Sequence, residues 1–441
     1  MPLNNKRPSK QRALVLQGGG ALGAYEAGVL YVLCKRLHRN KANDYRPLFD
    51  IVAGTSIGAM NAAILVSSVV NRGKTWEEGV NELVNFWKDD EKGLSSHPDF
   101  GKWWWEGLKK KNIFNASTEA ARRYYSVKEY FKHGTPNVCF PLTPEPDLKF
   151  ADPENTWFLN DSKLLENTIE RYSKDENGEK LRIATSWDKG EPRLLVISVD
   201  VAKGKTVVFD SYHKKAQDPQ NSIYDGDGIT IDHVMASGTI PIFYKLRDIG
   251  GRKFCDGGLL SNTPFRELLI AHRDYWMKVV GEDEDEIPDL DVYIINVHPS
   301  EKDSIPTDLD GLKDRINDIT LGDRDSQYDQ MVGDLVTDYT QLIDKLNELA
   351  SSHFLNEDQR DAFKNAFENF LKTEARSKTP EGNPKKYKDL LRGRFKLAQV
   401  VRIGPHEYSN SISGKGADFT SQTIMDLIKK GKDDASNVEL H

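Results

Sequence analysis

Cysteine is scarce in this chain of 441 residues: Cys34, Cys139 and Cys255 are an odd number and sit at no metal-ligand spacing. That pattern argues against a disulfide framework and against a thiolate metal site, and it fits a reducing, cytoplasmic setting. Long hydrophobic runs are also missing. The longest, such as AAILVSSVV after Met60, fall short of the roughly 20 residues that cross a bilayer. The opening MPLNNKRPSKQR is basic and polar, but the apolar run behind it is broken by three glycines and carries no small-residue cleavage site. No secretory signal is expected. Nor is there an excess of positive charge. With 61 Lys and Arg against 68 Asp and Glu, a net charge of −7 argues against an extended nucleic-acid footprint. The remaining composition, 38% hydrophobic and 29% charged, is that of a globular protein able to bury a sizeable core.

Strand-like and helix-like segments alternate from the start: ALVLQ, a helical pattern from Ala24 to Leu37, FDIVAGTS, then MNAAILVSSVV. This order predicts an α/β fold, a central mainly parallel sheet flanked by helices in three layers. Further strands are expected at RLLVISVDV, GKTVVFD, KFCDGG, DVYIINV and LAQVVRIG, all rich in Val and Ile or bounded by turn residues. Two long segments interrupt the pattern. Residues from about 75 to 183 hold KWWWEGLKKKNIF and a proline-rich stretch, an insertion of the kind that forms lids. Residues 301–394 are polar with apolar positions at helical spacing, as in LVTDYTQLIDKLNELA. We therefore read a core over 12–300, a helical insertion over 301–394, and a strand and helix over 395–441 that return to the core.

Two glycine turns stand at strand ends. In LQGGGALGAYEAGVL, Gly18, Gly20 and Gly23 satisfy G-x-G-x-x-G, which suits a dinucleotide, but the second strand ends in Thr55 and Ser56 rather than the acidic residue a ribose would need. That ending is itself a G-x-S-x-G, Gly54 to Gly58, between a strand and an apolar helix. A tight turn flanked by glycines lifts the Ser56 hydroxyl clear of the backbone, and the helix beyond points its positive end at the site. The same residues also suit an ordinary strand-to-helix turn with a capping serine. If Ser56 attacks an ester, the N–H groups of the first glycine turn are candidate donors to the oxyanion.

A serine nucleophile needs a base. Of ten histidines, His233, His272 and His298 lie in ordered-looking segments, yet none has a neighbourhood that singles it out. KFCDGGLLSNTPFRELL offers Asp256 at a strand end, followed by Gly257 and Gly258, with Thr263 and Pro264 placed to start another helix.

GGGALG, GTSIG and DGG in this order, with ASGTIP ahead of DGG, resemble the patatin-like phospholipase family over roughly residues 12–270. The resemblance implies a Ser-Asp dyad that hydrolyses lipid acyl esters, with Ser56 as nucleophile, Asp256 as proton acceptor and the backbone of Gly18, Gly19 and Gly20 as oxyanion hole. Gly23, Gly54, Gly58, Gly257 and Gly258 support the motifs. One position departs: where the family commonly carries Arg or Lys before the last glycine of its turn, this chain has Leu22, which removes a charge but no backbone donor. A non-catalytic lipid-binding or scaffold protein on the same fold is the alternative. Serine acyl transfer requires no cofactor, and YDGDGI lacks the acidic spacing of a calcium loop, so neither cofactor nor metal is expected. The expected partner is a lipid or ester substrate. Trp103, Trp104 and Trp105 followed by three lysines suit a peripheral membrane contact; the plainer reading is a lid helix with its tryptophans on the core and its lysines in water.

Overall fold

The computed structural model describes residues 7–37, 46–95, 119–141, 159–174, 177–212, 228–279, 287–303, 305–351, 356–378, 384–387, 393–409 and 411–440. Eight strands form its main sheet: β1 (Lys10–Leu16), β2 (Ile51–Thr55), β3 (Arg193–Asp200), β4 (Lys205–Asp210), β5 (Arg247–Ile249), β6 (Arg252–Asp256), β7 (Asp289–Ile295) and β8 (Leu397–Ile403). Strands β8, β7, β1, β2 and β3 lie side by side in that order, every neighbouring pair parallel. The other pairings, β3 with β4, β3 with β6 and β6 with β5, are antiparallel. Each strand expected from the sequence is present, and the sheet is mainly parallel with helices on both faces.

Burial on both faces explains the near-continuous apolar character of the strands. Along β1, Leu14 and Leu16 face one hydrophobic cluster while Ala13 and Val15 face another on the opposite side. The first cluster is filled by α1 (Gly23–Arg36), α2 (Ile57–Val70) and α3 (Trp76–Lys88), the second by Phe265 and Leu268. A reciprocal capping box starts α3: the Glu78 N–H donates to Thr75 Oγ1, and the Thr75 N–H donates to Glu78 Oε2. The first interruption supplies α3, α4 (Glu119–His133) and α5 (Lys163–Ser173); the tryptophans 103–105 and their lysines lie outside the described residues. After α6 (Ile231–Ser237) and α7 (Phe265–Asp274), the second interruption carries α8 (Leu309–Leu321), α9 (Arg324–Ser351) and α10 (Glu357–Leu371), followed by a short antiparallel pair, Glu374–Lys378 with Pro384–Lys386. The chain then re-enters the sheet as β8, and α11 (Ser421–Asn437) packs on α1.

The strand register decides where chemistry can occur. In β3, residues 195–200 are paired with β4 along one edge, so the partners of its other edge must share what remains. Strand β2 takes residues 193–197 and ends with Thr55 opposite Ile197; β6 arrives from the other direction and ends with Asp256 opposite Ser198. The two strands meet nose to nose. Their last residues are thereby neighbours although 200 positions separate Ser56 from Asp256 in the chain. The parallel strands also end together, Leu16 lying beside both Gly54 and Ile295, so the turn after β1 opens next to the turn after β2.

Helices α1 and α11 approach closely because glycines face backbone across the contact. A Cβ on Gly28 would lie 2.1 Å from the Ile428 carbonyl oxygen, and one on Gly431 would lie 2.2 Å from that of Tyr25. Substituting Gly431→Ala must push the helices apart and is expected to cost about 1–3 kcal/mol. A thermal melt should show a clear drop in Tm; an unchanged midpoint would mean that the helices do not pack this tightly.

Candidate active site

Ser56 stands on a strained turn between β2 and α2, with φ 55° and ψ −124°. A non-glycine residue in such a conformation costs on the order of 1–3 kcal/mol and persists only where its surroundings impose it. Here they do. A Cβ on Gly54 would lie 2.4 Å from the Gly58 carbonyl oxygen, and one on Gly58 would lie 2.5 Å from that of Leu16, so the turn closes only with glycine at both places. The Ser56 N–H donates to Ser237 Oγ at 2.9 Å, and Ser237 in turn donates to the Ile197 carbonyl on β3. The strained backbone is thus held from the sheet, and the Ser56 hydroxyl donates to Asp256 Oδ2 at 2.7 Å.

Asp256 is buried, and its second oxygen is also occupied: Oδ1 accepts the Gly258 N–H at 2.7 Å. Its own N–H donates to the Thr239 carbonyl at 2.8 Å. A Cβ on Gly257 would lie 2.5 Å from the Ile197 carbonyl oxygen, and one on Gly258 2.8 Å from Asn262 Oδ1. Burial pushes the carboxyl up, and the hydrogen bonds from Ser56 and Gly258 only partly oppose it, leaving a pKa of about 6. An aspartate so placed is a far better proton acceptor than one in water.

The first glycine turn lies alongside. Fully buried Gln17 locks its base: its amide donates to Thr263 Oγ1 at 2.7 Å, and its carbonyl oxygen accepts the N–H groups of Val297 and His298 at 2.7 and 3.0 Å. Thr263 therefore serves Gln17, and Pro264 rather than Thr263 is the residue that precedes α7. Asn262 braces the turn itself, donating from Nδ2 to the Gly18 carbonyl at 3.0 Å and accepting the Gly18 N–H on its own carbonyl at 3.1 Å. Gly18 thus commits its N–H to Asn262. Among the described residues no hydrogen bond takes the N–H of Gly19 or of Gly20. Gly20 has φ +60°, and a Cβ there would lie 2.3 Å from the Gly416 carbonyl oxygen. Gly23 abuts Ile57 at the start of α2, where a Cβ would come within 2.7 Å of the side chain. The two turns are further tied by Asn61, which donates to the Gly23 carbonyl at 3.0 Å and to Glu26 at 2.7 Å while accepting from Trp87. Leu22 is buried in the core, where an unpaired charge would be costly. The cation beside this turn is instead the buried Lys415, next to Gly416.

Above these groups lies a cavity of about 360 Å³. Gly18, Gly19, Gly20, Ser56 and Asp256 line its floor, and most of its wall is apolar, including Met60, Leu94, Tyr130, Leu165, Phe243 and Phe419. The wall draws on both interruptions of the core, through Tyr130 and Leu165 from the first and Asn317 and Leu321 from the second. Of the three histidines considered, His233 accepts the Thr230 N–H at 3.0 Å and packs on Phe209, and His272 pairs with the Pro288 carbonyl at 2.8 Å. His298 alone of these lines the cavity. No group of three or more His, Cys, Asp or Glu among the described residues could hold a metal ion, and most of YDGDGI lies outside them. The three cysteines are free and buried, and no described helix is long and apolar enough to cross a membrane.

A family model described as patatin-like phospholipase matches residues 14–269. No curated protein matches the chain. Among solved structures, the crystal structure of VipD from Legionella pneumophila aligns over 97% of this chain and 69% of that one, at 13% identity and a TM-score of 0.30, a likeness that carries no argument.

The raised pKa of Asp256 has a thermodynamic sign. Between an unfolded value of about 3.9 and a folded value of about 6, the folded state binds more protons, so this group's stabilisation is fully present below pH 4 and is lost as pH rises through 6. Asp256→Asn carries no such loss. In paired thermal melts the Tm of the variant relative to wild type should rise between pH 4 and pH 7.5; a constant difference would show that the carboxyl is not held up by burial.

Proposed function

The chain belongs to the patatin-like phospholipase family, a family of lipid acyl hydrolases, and from that premise we propose that it hydrolyses acyl esters with Ser56 as nucleophile and Asp256 as the base. The observation that carries this reading is the 2.7 Å hydrogen bond from Ser56 Oγ to a buried Asp256, on the floor of an apolar cavity.

The geometry supports a two-step acyl transfer. As Ser56 Oγ attacks the ester carbonyl, its proton passes to Asp256 Oδ2, and negative charge gathers on the carbonyl oxygen. The unengaged N–H groups of Gly19 and Gly20 are the donors nearest at hand for that charge, in a setting where the low dielectric strengthens them. The N-terminus of α2 adds its positive end. The Ser56 N–H, already given to Ser237, takes no part. Collapse of the tetrahedral intermediate breaks the bond to the alcohol, which leaves with the proton from Asp256. A water then gives its proton to Asp256 and attacks the acyl-enzyme; the proton returns to Ser56 as the acid departs.

The apolar wall accommodates the acyl chain, and about 360 Å³ lies within the range of roughly 300–1,000 Å³ usual for small-molecule sites. Exposed Phe131, Ile240 and Leu259 ring its mouth, an arrangement suited to a substrate that arrives from a lipid assembly.

Labelling by a fluorophosphonate probe, followed by turnover of a medium-chain ester, tests the assignment. Ser56→Ala should abolish labelling, and Asp256→Asn should lower turnover by at least about 10³-fold, as loss of a catalytic partner does in other serine hydrolases. Labelling that survives Ser56→Ala, or wild-type turnover in Asp256→Asn, would sink the dyad. A folded protein that binds lipid but neither labels nor turns over would instead be a scaffold.

A further inference from the structure

One side of the cavity is polar, and it is built with care. His298 follows β7 by three residues, is 5% exposed, and directs Nδ1 at Asp318 Oδ1 at 3.2 Å. Its other nitrogen, Nε2, is buried without a hydrogen-bond partner among the described residues. It faces the glycine turn: a Cβ on Gly19 would lie 3.4 Å from it.

The surroundings settle which nitrogen carries the proton. Asp318 and Asp314 on α8 face two ammonium groups, Lys415 Nζ at 2.6 and 3.0 Å and Lys302 Nζ at 3.1 and 2.8 Å respectively. Two carboxylates and two ammonium ions balance, so the imidazole completes the set without a charge of its own. Burial opposes ionisation of Asp318, but the bond from His298 and the charge of Lys415 hold its pKa down at about 2. Burial likewise pulls His298 below its ordinary value, against the opposing bond to Asp318. An ionised Asp318 can only accept, so the single imidazole proton sits on Nδ1, and Nε2 holds its lone pair buried beside the glycine turn, in a residue that lines the cavity.

A buried acceptor of this kind is costly unless a donor meets it. The apolar wall takes the acyl chain, which leaves the polar side beside Gly19 for the alcohol portion of the ester. Resting on the acyl hydrolase reading above, we infer that His298, positioned by Asp318, accepts a hydrogen bond from a hydroxyl on that alcohol portion. The preferred substrates are then acyl esters that retain a free hydroxyl near the ester, as partial glycerides and lysolipids do, rather than fully esterified lipids.

Two esters that share an acyl chain test this on the full-length protein: 1-decanoylglycerol and propyl decanoate, which lacks both hydroxyls. Wild type should favour the glycerol ester by about tenfold in kcat/KM, the discrimination of one neutral hydrogen bond. His298→Asn keeps a donor for Asp318 but has nothing at the Nε2 position, and should bring the ratio to within about threefold of one; His298→Gln, whose amide reaches that position, should restore part of it. A wild-type ratio near one, or a ratio unmoved by His298→Asn in a protein that melts as wild type does, overturns the inference and leaves the hydrolase standing. The same holds if Ser56 reacts with a fluorophosphonate but neither ester is cleaved. If neither ester is cleaved and Ser56 does not react, the hydrolase reading falls and this inference with it. The wild-type ratio needs no variant, so a misfolded mutant does not shield the idea.

Discussion

One edge of strand β3 is shared by two strands that run toward each other, and the candidate site exists because they stop one residue apart. Thr55 ends opposite Ile197 and Asp256 ends opposite Ser198, so the side chains at the gap face a common space. A parallel strand delivers Ser56 on a turn that leads into a helix, whose positive end then lies beside that residue. An antiparallel strand delivers the carboxylate from the far side. Had β6 paired one residue further along, alternation would have turned Asp256 to the opposite face. Ser237 secures the junction, bonding the Ser56 N–H with its oxygen and the Ile197 carbonyl with its hydroxyl proton.

Holding such a junction together has a cost that other parts of the fold offset. Ser56 is strained, Asp256 is deprived of water, and two N–H groups of a glycine turn have no partner among the described residues. Each feature lowers stability and each is what acyl transfer would use. The compensation is a sheet buried on both faces, with Leu14, Leu16, Val52 and Val196 on one side and Val15, Leu195, Ile197 and Ile294 on the other. Fully burying an aliphatic side chain contributes about 1.5–3 kcal/mol, so a handful of these residues outweighs the strain at the turn.

The local features were legible in the sequence. Valine-rich and isoleucine-rich runs gave the strands, glycines at Gly54, Gly58 and Gly257 marked turns that admit no Cβ, and Ser56 and Asp256 stood at strand ends. What was illegible depends on distance along the chain. Nothing in SNTPF says that Asn262 folds back 244 residues to brace Gly18, nor that its carbonyl takes the Gly18 N–H and leaves the donors at Gly19 and Gly20. The segment 301–394 has a helical period, but no period reveals that Asp314 and Asp318 turn inward to meet Lys415 and His298. His298 looked like any strand-end histidine because its distinguishing neighbour lies on another element. Leu22 was recognisable as a missing charge; that Lys415 supplies a cation near the turn became visible only through packing.

The contact between Gly416 and Gly20 bears on how the protein is made. The glycine turn, the serine and the aspartate all leave the ribosome well before residues 411–437, yet the far wall of the cavity and the helix that clamps α1 come from that last stretch. Until it emerges, the turn after β1 lacks the carbonyl that packs on Gly20, and the aspartates of α8 lack the lysine that balances them. The nascent chain therefore carries Ser56, Asp256 and the first glycine turn with an unfinished enclosure. Order of synthesis alone leaves this wall of the cavity to be added after the two turns it encloses.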